Sequence, residues 1–460
     1  MKKKLTFTYG TETRDVEIDE DMLAAPFIEP RPSEGTDKTA IEAIEEALAS
    51  PLDRPRLRDM VGGKKVALVI SDEFRAGLQN KITDVLLGEI AAGKPATVTV
   101  LCGTGTHDPA IYTANTEKWT MEHAKKHGLD VKFVGHDCDD PALVDVGTTP
   151  RNTKVRIEPD FLKADVRVIG HEAKHHYMAG YSSMVKSMLP GISSRETVSN
   201  NHSLALDDDS KAGNYPLHPD PDRRRNPFSE DALDAFRIMN AKTVTEAGEV
   251  IDKPAEVFLL DMISDKDEVF FVKAGDPEKV TPLVIEAADS QAEFKVPKSR
   301  YVVVSPGGPP ACTALYGVQN CFDMALLGAI QEGGEALVYG PCNGRPGMDP
   351  DVKGLAPDGK SKALFWDNLA RMQDWPLEKC YQEIHDNFKL YLWKTWRVLR
   401  LFKRDKIRIW IYGELPADVL KQGGFEHCAD PQAWIDERVA RGDGKFVAID
   451  GGNKLLVTGE

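Results

Sequence analysis

Four apolar, β-branched runs in the first half of the chain each stop at a polar loop, and helical patterns separate them. The runs are "KKVALVISDEFR" (64–75), "ATVTVLCGTGTH" (96–107), "DVKFVGHD" (130–137) and "ADVRVIGHE" (164–172). Between them, "KITDVLLGEIAAG" and "NTEKWTMEHAKKHG" have helical periodicity and close on glycine. Strand–loop–helix alternation predicts an α/β domain with a largely parallel sheet. A second series starts at "SRYVVVSPGGPP" and continues through "GGEALVYGPCNG", "DKIRIWIYGEL" and "KFVAIDGGNK". The pattern therefore predicts two α/β domains, each with a mixed or mainly parallel sheet flanked by helices. The expected division is 1–275 and 276–460, with the active site in the cleft between them. "AEVFLLDMIS" and "DEVFFVKAG" read as paired strands, and "MKKKLTFTYG" as a first strand. "NPFSEDALDAFRIMNA" reads as a helix capped by Ser229, after a long Pro/Asp/Arg-rich loop from about Lys211.

Composition narrows the function. A net charge of −15 argues against a nucleic-acid footprint. It leaves room for an anionic substrate, because a local cationic cluster reverses the field inside a cleft. The seven cysteines form no CxxC pair, which argues against a disulfide framework or zinc knuckle and for a reducing cytoplasm. No apolar run is long enough to span a membrane, and no h-region follows the basic start. An oligomer is compatible with all of this.

Four loops carry unusual chemistry: "SDEFR" with Asp72 and Arg75, "GTGTHDP" with His107, "GHEAKHHYMAGYSSMVKSMLPGISSRETVSNNH" (170–202), and "SPGGPP" (305–310). They follow strands, where α/β sheets keep their ligands. Taken singly, each has an ordinary reading as a tight turn, a helix cap or a surface ion pair. The long stretch is richer. It holds His171, His175, His176 and His202 around Lys186. His171 and His175 are four apart and would share a face on a helix. A lysine among small residues can meet an anion or become a covalent attachment point.

In this order, "SDxxR", "GTGxH", "HxxAGYS…K…LPG" and "NH" resemble the nickel-pincer lactate racemase family, and "SPGGPPACTALYGVQN" resembles its second-domain helix. The resemblance implies a 2-hydroxy acid racemase or epimerase, an isomerase that inverts C2 by transient hydride transfer. The implied cofactor is a nickel pincer nucleotide, tethered at Lys186 and built by partner enzymes. It further implies His202 as the nickel ligand, His107 and His176 as the acid/base pair, and Arg75 with Asp72 on the substrate. Gly307 and Gly308 are assigned to the cofactor, and His171 and His175 to support. A hydride route suits this substrate, since C2–H beside a carboxylate is a very poor acid. Two histidines fit one hydroxyl position each.

The chain departs from the family at several positions. Ser183 and Met184 replace two glycines, which leads us to expect a different backbone near the cofactor. Asn320 stands where the racemases carry a substrate-binding lysine, Gly317 where they have glutamine, and Cys312 at an acidic position. Losing that cation points away from lactate and toward another 2-hydroxy acid such as a sugar acid, with Asn320 in its pocket. Two rival readings share the same residues. One is a zinc hydrolase on His107, His176 and His202. The other is a sugar-acid binding protein without chemistry.

Overall fold

The structure is a computed structural model that describes residues 1–32, 38–73, 78–266 and 268–460. Arg75 lies outside the described residues. The chain opens with an antiparallel hairpin, β1 (Lys2–Tyr9) and β2 (Glu12–Asp19). The four anticipated runs then form β3 (Lys65–Ser71), β4 (Thr97–Gly103), β5 (Val131–Gly135) and β6 (Val166–Glu172). Two short strands follow, β7 (Lys174–His176) and β8 (Gly180–Ser182), and later the paired β9 (Glu256–Asp265) and β10 (Glu268–Gly275). The main sheet has the order β10-β9-β6-β3-β4-β5, parallel throughout except for the edge strand β10. Every residue from Val66 to Ile70 is buried, as expected of a strand covered on both faces.

The second series forms β11 (Ser299–Val304), β12 (Ile330–Tyr339), β13 (Arg408–Tyr412), β14 (Glu426–His427) and β15 (Phe446–Ile449). Their order is β14-β13-β12-β11-β15, all parallel. The helices needed below are α1 (Gln79–Ala92), α2 (Ala114–Lys126), α3 (Met184–Met188), α4 (Arg195–Ser203), α5 (Pro227–Asn240), α6 (Pro277–Ala292), α7 (Leu315–Val318) and α8 (Leu392–Lys403).

Packing crosses the expected 275/276 division at both ends. Leu5, Phe7, Val16 and Ile18 of the opening hairpin pack with Tyr301, Val303 and Leu337 of the second sheet. In the other direction, Val280, Val284, Ile285 and Ala288 of α6 share a core with Ala67, Ile169 and Leu259 of the first sheet.

Three local expectations are corrected. His171 and His175 do not share a helix face: His171 is in β6 and His175 in β7. The β-branched "VRVIG" run carries the strand through His171, so helical spacing has no meaning there. The cap of α5 is Asn226, whose side chain accepts from Ser229 N at 3.1 Å; Pro227 occupies the first helical position and Ser229 the third. The "ACTALYGVQN…" segment is a broken series of short helical turns rather than one helix.

Candidate active site

In the first sheet the chain runs outward from β3 to β4 and β5, then returns to place β6 on the other side of β3. Loops at the carboxyl ends of β3, β4 and β6 therefore converge on one crevice, the usual ligand site of such sheets. Asp72 follows β3, His107 follows β4, and His176 follows β6.

The β3 and β4 loops meet as a pair. His107 Nδ1 lies 2.7 Å from Asp72 Oδ2, and Asp72 is 2% exposed. Asp72, expected on the substrate beside Arg75, thus faces the imidazole. A carboxylate there holds the proton on Nδ1 and leaves Nε2 as the basic nitrogen. Gly105, at φ +60°, lets the "GTGTH" turn close, and its N–H donates to Gly191 O at 2.9 Å. That bond joins the His107 loop to the "LPG" turn behind Lys186.

His176 is held differently. Met178 N and Ala179 N donate to its Nδ1 at 3.4 and 3.2 Å. Its Nδ1 is therefore the acceptor, and a neutral ring carries its proton on Nε2. The two histidines present opposite tautomers. His171 pairs with Asp261 (3.0 Å) and His175 with Asp289 (2.9 Å), both buried and structural in kind.

Lys186 sits in α3 and is only 7% exposed. Ser183 and Met184, which replace glycines, need no unusual backbone. Ser183 is an extended N-cap (φ −133°, ψ 179°) whose Oγ donates to Tyr215 OH at 2.8 Å, and Met184 is fully buried. Gly191 has a steric reason: a Cβ there would lie 2.0 Å from Ser187 O. Beside Lys186, Ser187 Oγ is buried and meets no hydrogen-bond partner among the described residues. His202, in the last turn of α4, is 7% exposed and packs its ring on Phe228 and Trp393, with centroids at 5.0 and 5.3 Å.

The start of α8 ties these pieces together, and sequence reasoning missed it. Trp393 touches His202 and donates from Nε1 to Tyr177 OH at 2.8 Å. Tyr177 follows His176 and stacks on it, centroids 4.8 Å apart. Tyr391, at φ +86°, lies beside the Thr106 side chain next to His107. A bulky residue held in the left-handed region is costly, and such residues cluster at functional sites. Burial raises the Tyr391 and Tyr177 hydroxyl pKa values, so both stay protonated donors. The available signal was the aromatic density of "KLYLWKTW".

Asn320 joins the cluster through Lys394 of α8, whose Nζ lies 2.7 Å from Asn320 Oδ1 and 4.8 Å from the Tyr177 ring centroid. Gly307 and Gly308 pack closely on other backbone: a Cβ on them would meet Gly451 Cα at 3.5 Å and Gly10 O at 3.3 Å. The zinc reading does not fit the geometry. Among the described residues, His107, His176 and His202 do not form a group with one ligand atom each within 4.8 Å of one another; only the Asp137–Cys138–Asp139 group does. No helix among the described residues is long and apolar enough to cross a membrane.

Comparison with known proteins finds lactate racemases in both sequence and fold. Residues 9–213 match the model of the lactate racemase N-terminal domain. A lactate racemase of Thermoanaerobacterium thermosaccharolyticum is 27% identical over 297 residues, 62% of each chain. That of Lactiplantibacillus plantarum is 27% identical over 335 residues, 70% of this chain and 69% of the relative. The first match spans less than two thirds of the relative's length. The fold matches the lactate racemase apoprotein structure from T. thermosaccharolyticum at a TM-score of 0.77, with 20% identity, covering 99% of this chain and 100% of that one. A Thermotoga maritima protein matches at 0.60, with 17% identity over 93% of this chain and 100% of that one. The chain is thus similar to lactate racemases in sequence over residues 9–213 and has the fold of a lactate racemase apoprotein over nearly its whole length.

Proposed function

We propose that this protein is an isomerase that inverts C2 of a 2-hydroxy acid, and that it does so with a nickel pincer nucleotide tethered at Lys186. The carrying observation is the gathering of the Asp72-held His107, His176, and the His202 ring around Tyr391, Trp393 and Tyr177. The cradle suits a tethered nucleotide. Lys186 and His202 are buried, Gly191 is too tight for a side chain, and Ser187 Oγ is left for a ligand. Lys186 would hold the group and His202 would ligate its metal. When bound, the group supplies the hydride acceptor that this chain's side chains lack.

The residues handle the proton and the orientation. His107 Nε2 receives the hydroxyl proton of one enantiomer, while Asp72 stabilises the imidazolium that results. His176 Nε2–H hydrogen-bonds the oxygen at the other hydroxyl position, and the proton that His107 took up goes back to that oxygen as hydride returns. Arg75 clamps the substrate carboxylate. Because Asn320 replaces a cation, we assign the substrate to acids larger and more hydroxylated than lactate, such as aldonates. The partners are the enzymes that build the cofactor. A cleft between the two halves would hold the substrate.

The test is peptide mass spectrometry across Lys186, with elemental analysis, on protein co-produced with cofactor-assembly enzymes. A nucleotide-sized adduct with stoichiometric nickel is the expected result, followed by turnover within a panel of 2-hydroxy and sugar acids. An unmodified Lys186 without nickel would sink the proposal.

A further inference from the structure

Lys394 is buried in α8, and three acceptors surround its Nζ: Tyr316 O at 2.9 Å, Gln319 Oε1 at 2.9 Å and Asn320 Oδ1 at 2.7 Å. Its ammonium also lies over the Tyr316 and Tyr177 rings, 4.3 and 4.8 Å from the centroids. An ammonium has three donors and no acceptor, so all three are used inside the protein. The same fact fixes both amides, each of which must turn its oxygen toward Lys394. Gln319 then gives its NH2 to Asp323 Oδ2 at 2.5 Å and is spent in the core. Asn320 is only half-buried, and among the described residues its Nδ2 meets no acceptor.

We propose that Lys394 is a positioning residue that locks the Asn320 amide with its NH2 outward, as a donor for a hydroxyl of the substrate beyond C2. This rests on the racemase reading above. It gives Asn320 a definite role: the cation has moved from the substrate wall into the layer behind it, and the wall now offers a neutral, oriented hydrogen-bond donor. Such a donor selects a polyhydroxylated acid over lactate, whose C3 methyl cannot use it. Lys394 and Tyr177 link this donor to His176.

The experiment uses the nickel-loaded holoenzyme below pH 7, where Lys394 is an ammonium, with a six-carbon aldonate and lactate as substrates, and the variants Asn320→Ala, Lys394→Met and both together. Expected for the aldonate is a KM raised about tenfold in each single variant, the loss of one neutral hydrogen bond, with a much smaller fall in kcat. The double variant should be no worse than either single one, because the two residues act as one unit. Asn320→Asp keeps the Lys394 contact but removes the donor, so it should raise the aldonate KM too; being half-buried, it serves if Lys394→Met does not fold. An unchanged aldonate KM in Asn320→Ala or Asn320→Asp, or additive effects of the two sites, overturns the proposal. A wild type that turns over lactate but no aldonate overturns it while leaving the racemase reading intact. A wild type inactive on both, despite nickel at Lys186, sinks the two together.

Discussion

At the scale of single residues, the site is a set of side chains whose polar ends are decided by their neighbours. Asp72 shows how strongly. Removing its charge in Asp72→Asn leaves the packing in place but allows the wrong His107 tautomer. Steady-state kinetics should show kcat lowered by roughly a hundredfold or more, with an unfolding midpoint close to wild type. Lys394 gives a second test. Burial pushes its pKa down to about 7. Since an unfolded lysine titrates near ~10.4, the folded state carries a penalty that is full below about pH 7, where both states hold the proton, and fades as pH rises toward ~10.4. Relative to Lys394→Met, wild type should therefore gain stability between about pH 7 and 10 in denaturant titrations. His107, His176, Lys186 and His202 stood out in the sequence through their chemistry and order. Lys394 did not, because a lysine in "YLWKTW" reads as a solvated helix residue until the chain's second half closes over it.

At the scale of elements, the cradle depends on a turn with no spare volume. Gly191→Ala would place a Cβ 2.0 Å from Ser187 O, on the backbone of the short helix that carries Lys186. Overpacking of this kind costs about 1–3 kcal/mol or more. The variant should lose several degrees of thermal stability in calorimetry and, on the proposed tether, most of the Lys186 adduct by mass spectrometry. The regular elements were legible from pattern: the β-branched runs became parallel strands, and the glycine-closed periodic segments became α1 and α2. The misreadings came from spacing taken alone: the β-branched run before His171 set a strand, and Pro227 moved the cap of α5 to Asn226.

At the scale of the molecule, the two sheets are not separately packed units. Asp289 of α6 fastens that helix to the loops around the first sheet, accepting from His175, His218, Tyr181 and Arg223. Burial alone would raise its pKa, but the bonds from His175, His218 and Tyr181 outweigh it and hold the carboxyl well below its usual range. A depressed carboxylate contributes stability above its unfolded pKa of ~3.9 and loses it as pH falls further. Wild type should thus weaken steeply below about pH 4, and Asp289→Asn should be less stable at neutral pH with a flatter acid limb in the same unfolding series. The second fastening is α8, and it bears on inheritance. The stretch that matches the family domain ends at residue 213, yet the ring against His202 comes from Trp393. A chimera joining the first half of one relative to the second half of another would thus split a single pocket between two ancestries, and its α8 would have to be chosen to suit the incoming histidines.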